Sequence, residues 1–328
     1  MAGGIDVVSR KEKKRKRMRR RRVRRMISKG LSICAVIVLI WGTAYFAKEV
    51  FVHVRNGQTA AELRGLYMSP VYAEASTPTA LVTEKPLTSV IPDEEGFAAE
   101  PTAASETTIM PVISDVPLNE FQEQFLDLYS QNDDLIGWIH VNDTVDYPIV
   151  WREGDNDYYM DHDFYGNESQ AGWIFLDKRN QNDMSDDQLL IYGHNMRLGD
   201  MFGELDLYRD LEYVRAHPII EIQSVWEAEP RKYVIIALYD ASMNKSHDSY
   251  IKITNFNFEN REAKEEYIAA VCERSIFELP CDASADDQLV TLVTCSYSHP
   301  NGRFLVVARE LRDDETEEAI IEQFNQLQ

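Results

Sequence analysis

The sequence predicts a mainly β fold, a closed barrel or a sandwich, carried behind one N-terminal membrane-spanning helix. Three observations lead there. Eight short apolar or alternating runs, set apart by Asn, Asp and Gly, lie between residues 135 and 310, the spacing of all-β domains with many short strands. One stretch of helical period interrupts them. Near the N-terminus, 17 residues without a charged side chain follow a dense basic block. At 44% hydrophobic and 10% aromatic, the 328-residue chain has enough apolar side chains to bury a core, which excludes disorder of the whole.

Charge is segregated along the chain. The totals are 34 Lys plus Arg and 55 Asp plus Glu, a formal net charge of −21. Residues 1–30 hold 14 basic and 2 acidic side chains, which leaves 20 basic and 53 acidic for residues 31–328. So acidic a bulk argues against nucleic acid as a partner, because neutralising phosphates takes a basic face on the folded domain. The basic block, KEKKRKRMRRRRVRR, reads instead as a topology signal. It precedes LSICAVIVLIWGTAYFA, Leu31–Ala47, which at 1.5 Å per residue covers roughly 25 Å and is extended by flanking apolar residues toward the thickness of a bilayer core. No small-x-small cleavage site follows, since Ala44 and Ala47 are three apart and Lys48 and Glu49 come next; an uncleaved signal anchor is expected. By the positive-inside rule, residues 1–30 stay in the cytoplasm, residues 31–52 span the membrane and the remainder lies outside the cell.

Residues 53–117, rich in Pro, Thr, Ser, Ala and Glu from residue 70 onward, read as a flexible stalk. The folded domain is expected over 118–312. Asn119 as N-cap, with Gln122 at N3, opens a helix in which Phe121, Phe125 and Leu128 share a face. The strand runs then follow in order: LIGWIHV, YPIVW, GWIFLD, QLLIYG, IIEIQSVW, KYVIIALYD, QLVTLVTC and RFLVVARE. Between Asp240 and Gln288, REAKEEYIAAVCERS sets Tyr267, Ile268, Val271 and Cys272 on one apolar face, so an amphipathic helix lies within a strand-to-strand connection. Residues 313–328, DDETEEAIIEQFNQLQ, read as an acidic tail, either a solvated short helix or a frayed end.

Of four cysteines, Cys34 lies in the apolar run, Cys272 and Cys281 are nine apart and able to pair if oxidised, and Cys295 is left over. None stands in a CxxC pair or near a His at zinc-finger spacing, so no structural metal is expected. TLVTCSY places Cys295 at the end of a β-branched run, just before the loop SYSHPNG. The commoner fate of a free Cys is burial as a small hydrophobe; a nucleophile needs a base and a group to stabilise the developing oxyanion. His194, just past QLLIYG, supplies a candidate base. His299, four residues after Cys295, is its rival, but it sits in a hairpin loop where it is hard to hold within hydrogen-bond reach. Arg303 opens RFLVVARE, and a hairpin brings it back to the Cys295 strand end. Its guanidinium stays protonated and offers fixed donors. Arg309 is the fallback, farther along the strand.

On these residues the chain resembles the sortases, membrane-anchored cysteine transpeptidases of Gram-positive cell surfaces. Their TLxTC signature stands here as Thr291–Cys295, with Arg303 heading the next strand and His194 in YGHNM. The resemblance covers roughly Asn119–Arg312 and points to class B, through GWIHVNDTVDYPIVW, DNDYYMDHDFYGNESQAGWIFLD, YGHNM and the helix before TLVTC. It implies a closed, sortase-type eight-stranded β-barrel with an N-terminal helix and a helix in the connection before the catalytic Cys strand. It implies His194, Cys295 and Arg303 as the catalytic triad, with Tyr192, Asn195, Thr294 and Ser296 as candidates for substrate contact. The partners it implies are exported proteins carrying a C-terminal sorting motif, cleaved after Thr through a Cys thioester, and an amine acceptor from a cell-wall precursor or a pilin Lys. No metal or organic cofactor is implied. Two other classes fit the residues: a cysteine peptidase that only hydrolyses, and an anchored wall-binding β-domain with Cys295 in its core.

Overall fold

The computed structural model describes residues 4–67, 121–142, 145–296, 298 and 301–327, with the backbone alone for residues 4–33. Two compact units are present, Met1–Asn56 and Gly57–Gln328.

Helix α1, Gly4–Tyr67, is continuous. In the first unit its Val38, Leu39, Ile40, Trp41 and Phe46 side chains are exposed, an apolar surface suited to lipid rather than water. Among the described residues α1 is the one helix long and apolar enough to cross a membrane. The stalk reading of 53–117 is corrected over 53–67, which are helical. Ala60, Leu63 and Tyr67 recur at i, i+3 and i+7, the spacing of one helix face. Ala60 and Leu63 are buried, and Tyr67 stacks on Trp138 with ring centroids 4.4 Å apart. Tyr67 also meets Phe125 at 5.3 Å. Residues 68–117 lie outside the described residues.

A 3-10 turn, Glu123–Phe125, runs into the short helix α2, Leu126–Tyr129. This corrects the expected helix start: Asn119 lies outside the described residues, and Gln122 is extended, its N–H donating to the Val225 carbonyl at 2.8 Å. Phe121, Phe125 and Leu128 are nevertheless all buried.

Eight strands follow: β1 Leu135–Val141, β2 Val145–Val150, β3 Phe175–Leu176, β4 Gln188–Tyr192, β5 Ile219–Ser224, β6 Arg231–Ser242, β7 Leu289–Ser296 and β8 Gly302–Glu310. Each falls on one of the eight apolar runs. They close into a barrel, so the sandwich alternative falls away, in the order β1, β2, β3, β4, β7, β8, β6, β5. Helix α3, Tyr158–Asp161, lies between β2 and β3; a 3-10 helix, Gly203–Arg209, and α4, Leu211–Ala216, lie between β4 and β5. Strands β4 and β7 are parallel, from Gln188↔Leu289 to Tyr192↔Val293. Parallel neighbours need a long crossover, and the connection through β5, β6 and helix α5, Arg261–Glu273, provides it.

Helix α5 starts where the Asn260 side chain accepts from the Ala263 N–H at 2.9 Å, satisfying a free donor of the first turn. Its Tyr267, Ile268 and Val271 pack with Leu289, Val293, Leu305 and Val307 on the outer face of β7 and β8. Side chains alternate along a strand, so Cys295 continues the outward row Leu289, Thr291, Val293. A disulfide, Cys272–Cys281, ties the end of α5 to the segment leading into β7.

In 313–328 the short helix is present, and what is corrected is its solvation. Residues Glu317–Asn325 form helix α6, capped by the Thr316 hydroxyl, and it packs on α4. Ile320 and Phe324, at i and i+4, are buried at 4% and 0% exposure, which is what turns an acidic segment into a docked helix. Phe324→Ala is therefore expected to cost about 3–5 kcal/mol of stability, the usual cost of emptying a buried aromatic site, measured by urea unfolding. A loss below about 1 kcal/mol would mean that α6 does not dock, since exposed substitutions stay within roughly that range.

Candidate active site

Three strand ends converge at one end of the barrel. The antiparallel β7–β8 ladder pairs Cys295 directly with Arg303. On the other side of β7, the parallel ladder with β4 runs to a last backbone bond, Gly193 N–H to the Val293 carbonyl at 3.2 Å, and His194 follows. His194, Cys295 and Arg303 line one cleft, with Tyr192, Thr294 and Met160 among its walls. All three are half-buried.

His194 is held from outside the barrel. Its Nε2 lies 2.8 Å from the Met160 carbonyl. A carbonyl only accepts, so Nε2 carries a proton and Nδ1 is the nitrogen left to take or give one. Met160 belongs to α3, which is fixed by its neighbour Tyr159: the Tyr159 hydroxyl donates to Asp134 at 2.8 Å and accepts from Asn132 at 2.9 Å. Two glycines make room. Gly172 has φ +55°, and a Cβ there would sit 2.3 Å from the Tyr159 carbonyl and 3.0 Å from the His194 ring. A Cβ at Gly193 would sit 2.6 Å from the Phe202 ring.

The two arginines differ sharply. Arg303 makes one hydrogen bond, to the Gly302 carbonyl at 2.9 Å, and no ion pair among the described residues. Arg309 pairs across the ladder with Leu289, roughly 20 Å farther along β8 at about 3.4 Å per residue. It is 1% exposed and gripped by Asp282 and Glu315 at 2.7–2.9 Å. His299 lies outside the described residues.

Of the four residues expected to contact substrate, the structure places two on the cleft. Tyr192 stacks on Phe175 and donates to Asp177 at 3.1 Å. Thr294 is buried, with no hydrogen-bond partner for its hydroxyl among the described residues. Asn195 and Ser296 do not line the cleft. The Asn195 amide donates to the Cys295 carbonyl and to Asp206, and the buried Ser296 hydroxyl donates to Asp240 at 2.6 Å. Burial works against ionising Asp240, but hydrogen bonds from Arg209, Ser296 and Ser298 outweigh it and hold the carboxyl at about 2. Arg209 also lies over the Phe304 ring, 4.2 Å from its centroid. Met160, Asp206, Arg209 and Asp240 were not singled out from the sequence. Met160, Asp206 and Arg209 lie in short helical turns without periodicity, Asp240 lies in strand β6 where the apolar run marks the strand and not this carboxylate, and only the likeness of the segment around Met160 marked any of the four.

No family model matches the chain. Sortase B of Listeria monocytogenes is 34% identical over 195 residues, covering 57% of this chain and 74% of that relative. Sortase B of Staphylococcus aureus is 28% identical over 192 residues, covering 58% and 75%. Among solved structures, Clostridium perfringens sortase B matches with a TM-score of 0.51 at 31% identity, over 57% of this chain and 98% of that one. A Bacillus anthracis protein similar to sortase B matches with a TM-score of 0.51 at 30% identity, over 58% and 84%. The closed eight-stranded barrel is thus that of the sortases, cysteine transpeptidases that act on proteins bearing sorting motifs. Within them, the chain belongs to class B.

Asp240 also supplies a pH test. Its carboxyl titrates near 2 in the folded chain against an ordinary 3.8, so the stability it contributes is present above about pH 4 and is lost as pH falls toward 2. Asp240→Asn should therefore lower the urea midpoint at pH 7, with the gap to wild type narrowing below pH 4. A gap of constant size across that range would contradict the assignment.

Proposed function

We propose that this chain is an extracellular transpeptidase in which Cys295 is the nucleophile, His194 the proton carrier and Arg303 the oxyanion donor. The observation that carries the reading is the pairing of Cys295 with Arg303 across the β7–β8 ladder, in a cleft shared with His194. The Cys295 thiolate attacks the carbonyl carbon of a Thr within a C-terminal sorting motif. The Arg303 guanidinium, without a carboxylate partner among the described residues, donates to the oxyanion that forms. When the C–N bond breaks, imidazolium His194 gives its Nδ1 proton to the departing amine, leaving a Cys295 thioester and neutral His194. An amine from a cell-wall precursor or a pilin Lys then attacks the thioester. It loses a proton to His194 as the amide forms, and the thiolate is released.

In this reading residues 31–52 anchor the chain, residues 1–30 remain in the cytoplasm and the domain over 118–312 works outside. The basic block beside an apolar helix supports that orientation. So does the Cys272–Cys281 disulfide, a bond that persists in oxidising compartments. Tyr192, on the cleft wall, is the substrate contact; Thr294, buried and turned into the barrel, offers no side chain to a ligand.

The test is mass spectrometry of acyl-enzyme and product with a panel of Pro- and Thr-containing pentapeptides, with and without triglycine. Acylation at Cys295, and a triglycine adduct in place of hydrolysed peptide, are expected; turnover by Cys295→Ala would sink the proposal. His194→Ala should lower the rate by about 10²–10⁴-fold. Arg303→Ala should cost about 10²–10³-fold, the loss of one oxyanion donor. At Arg309 the substitution should act on stability, and a larger loss of the folded enzyme's rate there than at Arg303 would reverse the assignment.

A further inference from the structure

Cys295 and His194 sit on segments that part company just where the chemistry is placed. The last backbone bond between them is Gly193 N–H to the Val293 carbonyl. In a parallel ladder the acceptor two residues on, the Cys295 carbonyl, would next take the N–H of residue 195. The chain does not continue that way. After His194 it folds back, with Asn195 bridged to Met201 and the Phe202 N–H donating to the His194 carbonyl at 3.0 Å. The Asn195 side chain takes the missing place: its Nδ2 donates to the Cys295 carbonyl at 2.9 Å. Its second hydrogen goes to Asp206 Oδ2, also at 2.9 Å. A side-chain amide nitrogen carries two hydrogens, so both are spent inside the protein and none remains for a ligand.

The far side of this contact is closed as well. Asp206 Oδ1 accepts from Arg209 Nε at 3.0 Å, and both Arg209 Nη atoms reach Asp240. Asp240 in turn accepts from Ser296, the residue after Cys295. A continuous ring of hydrogen bonds thus runs from the residue following His194 to the residue following Cys295, and the Asn195 amide is its direct cross-piece.

We propose that Asn195 is a positioning residue that sets the separation of His194 and Cys295, and that Asp206 aligns its amide; the inference rests on the reading of those two residues given above. Asn195 acts through the Cys295 backbone. It restores the ladder bond that the turn removes, and it does so from the neighbour of the proton carrier, so the two reacting groups cannot drift apart without breaking it. Misplacement by about 1 Å at a reacting centre is enough to cost on the order of 10²-fold in rate.

The test uses the full-length chain in detergent micelles, the pentapeptide that acylates wild-type Cys295 fastest, and kcat, KM and Tm as readouts. Asn195→Ala should lower kcat by about 30–100-fold with KM within about twofold, because ground-state binding is untouched. Asp206→Ala should lower kcat by a smaller factor, about 3–10-fold. The double variant should be no slower than Asn195→Ala alone, because the two act as one unit. A raised KM at unchanged kcat in Asn195→Ala would make Asn195 a substrate contact and overturn the proposal, as would losses that multiply in the double variant. Asp206 is 44% exposed, so its variant keeps the fold and decides alone if Asn195→Ala does not accumulate: unchanged kcat overturns the proposal. Cys295→Ala and His194→Ala run alongside. Turnover by Cys295→Ala, or a His194→Ala rate within about tenfold of wild type, defeats the catalytic assignment; Cys295→Ala inactive and His194→Ala slowed by about 10²-fold or more with Asn195→Ala at wild-type kcat defeats this inference only.

Discussion

Hydrogen-bond register between β4, β7 and β8 is the constraint on which the rest depends. Two adjoining ladders, one parallel and one antiparallel, share β7 and bring Gly193, Cys295 and Arg303 to the same barrel end. A slip of one residue in β7 would turn every side chain to the opposite face. Cys295 would then take the inward orientation of its fully buried neighbours Leu292 and Thr294. The apolar row Leu289 and Val293 against α5 forbids that slip, because it would bring Val290, Leu292 and Thr294 to the helix and turn the packed row inward. Packing of a helix some distance from the cleft is therefore what keeps the thiol outward.

Electrostatics sort the arginines by a different rule. In an acidic domain the default for a cation is capture by carboxylates, and Arg309, Arg312 and Arg209 have all been captured, by Asp282 and Glu315, by Asp287, and by Asp206 and Asp240. Burying Arg309 carries a desolvation cost that its two bidentate partners offset, so it serves the structure. Arg303 occupies the strand end, hydrogen-bonded to the Gly302 carbonyl and without an ion pair among the described residues, in a cleft whose lining also includes Asp157. Charge left unpaired in a cleft remains available to a ligand.

The strands were legible because each is an apolar or alternating run bounded by turn residues, a local signal that survives without tertiary context. Helix α5 was legible for the same reason, at a period of 3.6. The residues that hold the site were not. Met160 contributes only its carbonyl to His194, which no side-chain pattern can announce, and Asp240 meets Arg209 and Ser296 across 31 and 56 residues. The spacing of Ile320 and Phe324 was present but masked by surrounding acidic residues. Likewise Ala60, Leu63 and Tyr67 marked a helical face within a stretch whose composition changes only farther on. Asn195 was visible beside His194 as a polar residue near the site, but its actual partner, a backbone carbonyl a hundred residues away, was not.

The parallel pairing of β4 and β7 obliges the chain to travel from Gly193 to Gln288 before it can return beside itself. That excursion holds β5, β6, α5 and the disulfide, and beyond His194 none of its residues lines the cleft. Lengthening such a detour adds little entropic cost, since closure grows only with the logarithm of length. The reactive strand ends and the loops between them are thus separable inheritances: the crossover can lengthen or shorten outside α5 and the Asn195–Asp240 hydrogen bonds while the chemistry stays where the ladders put it.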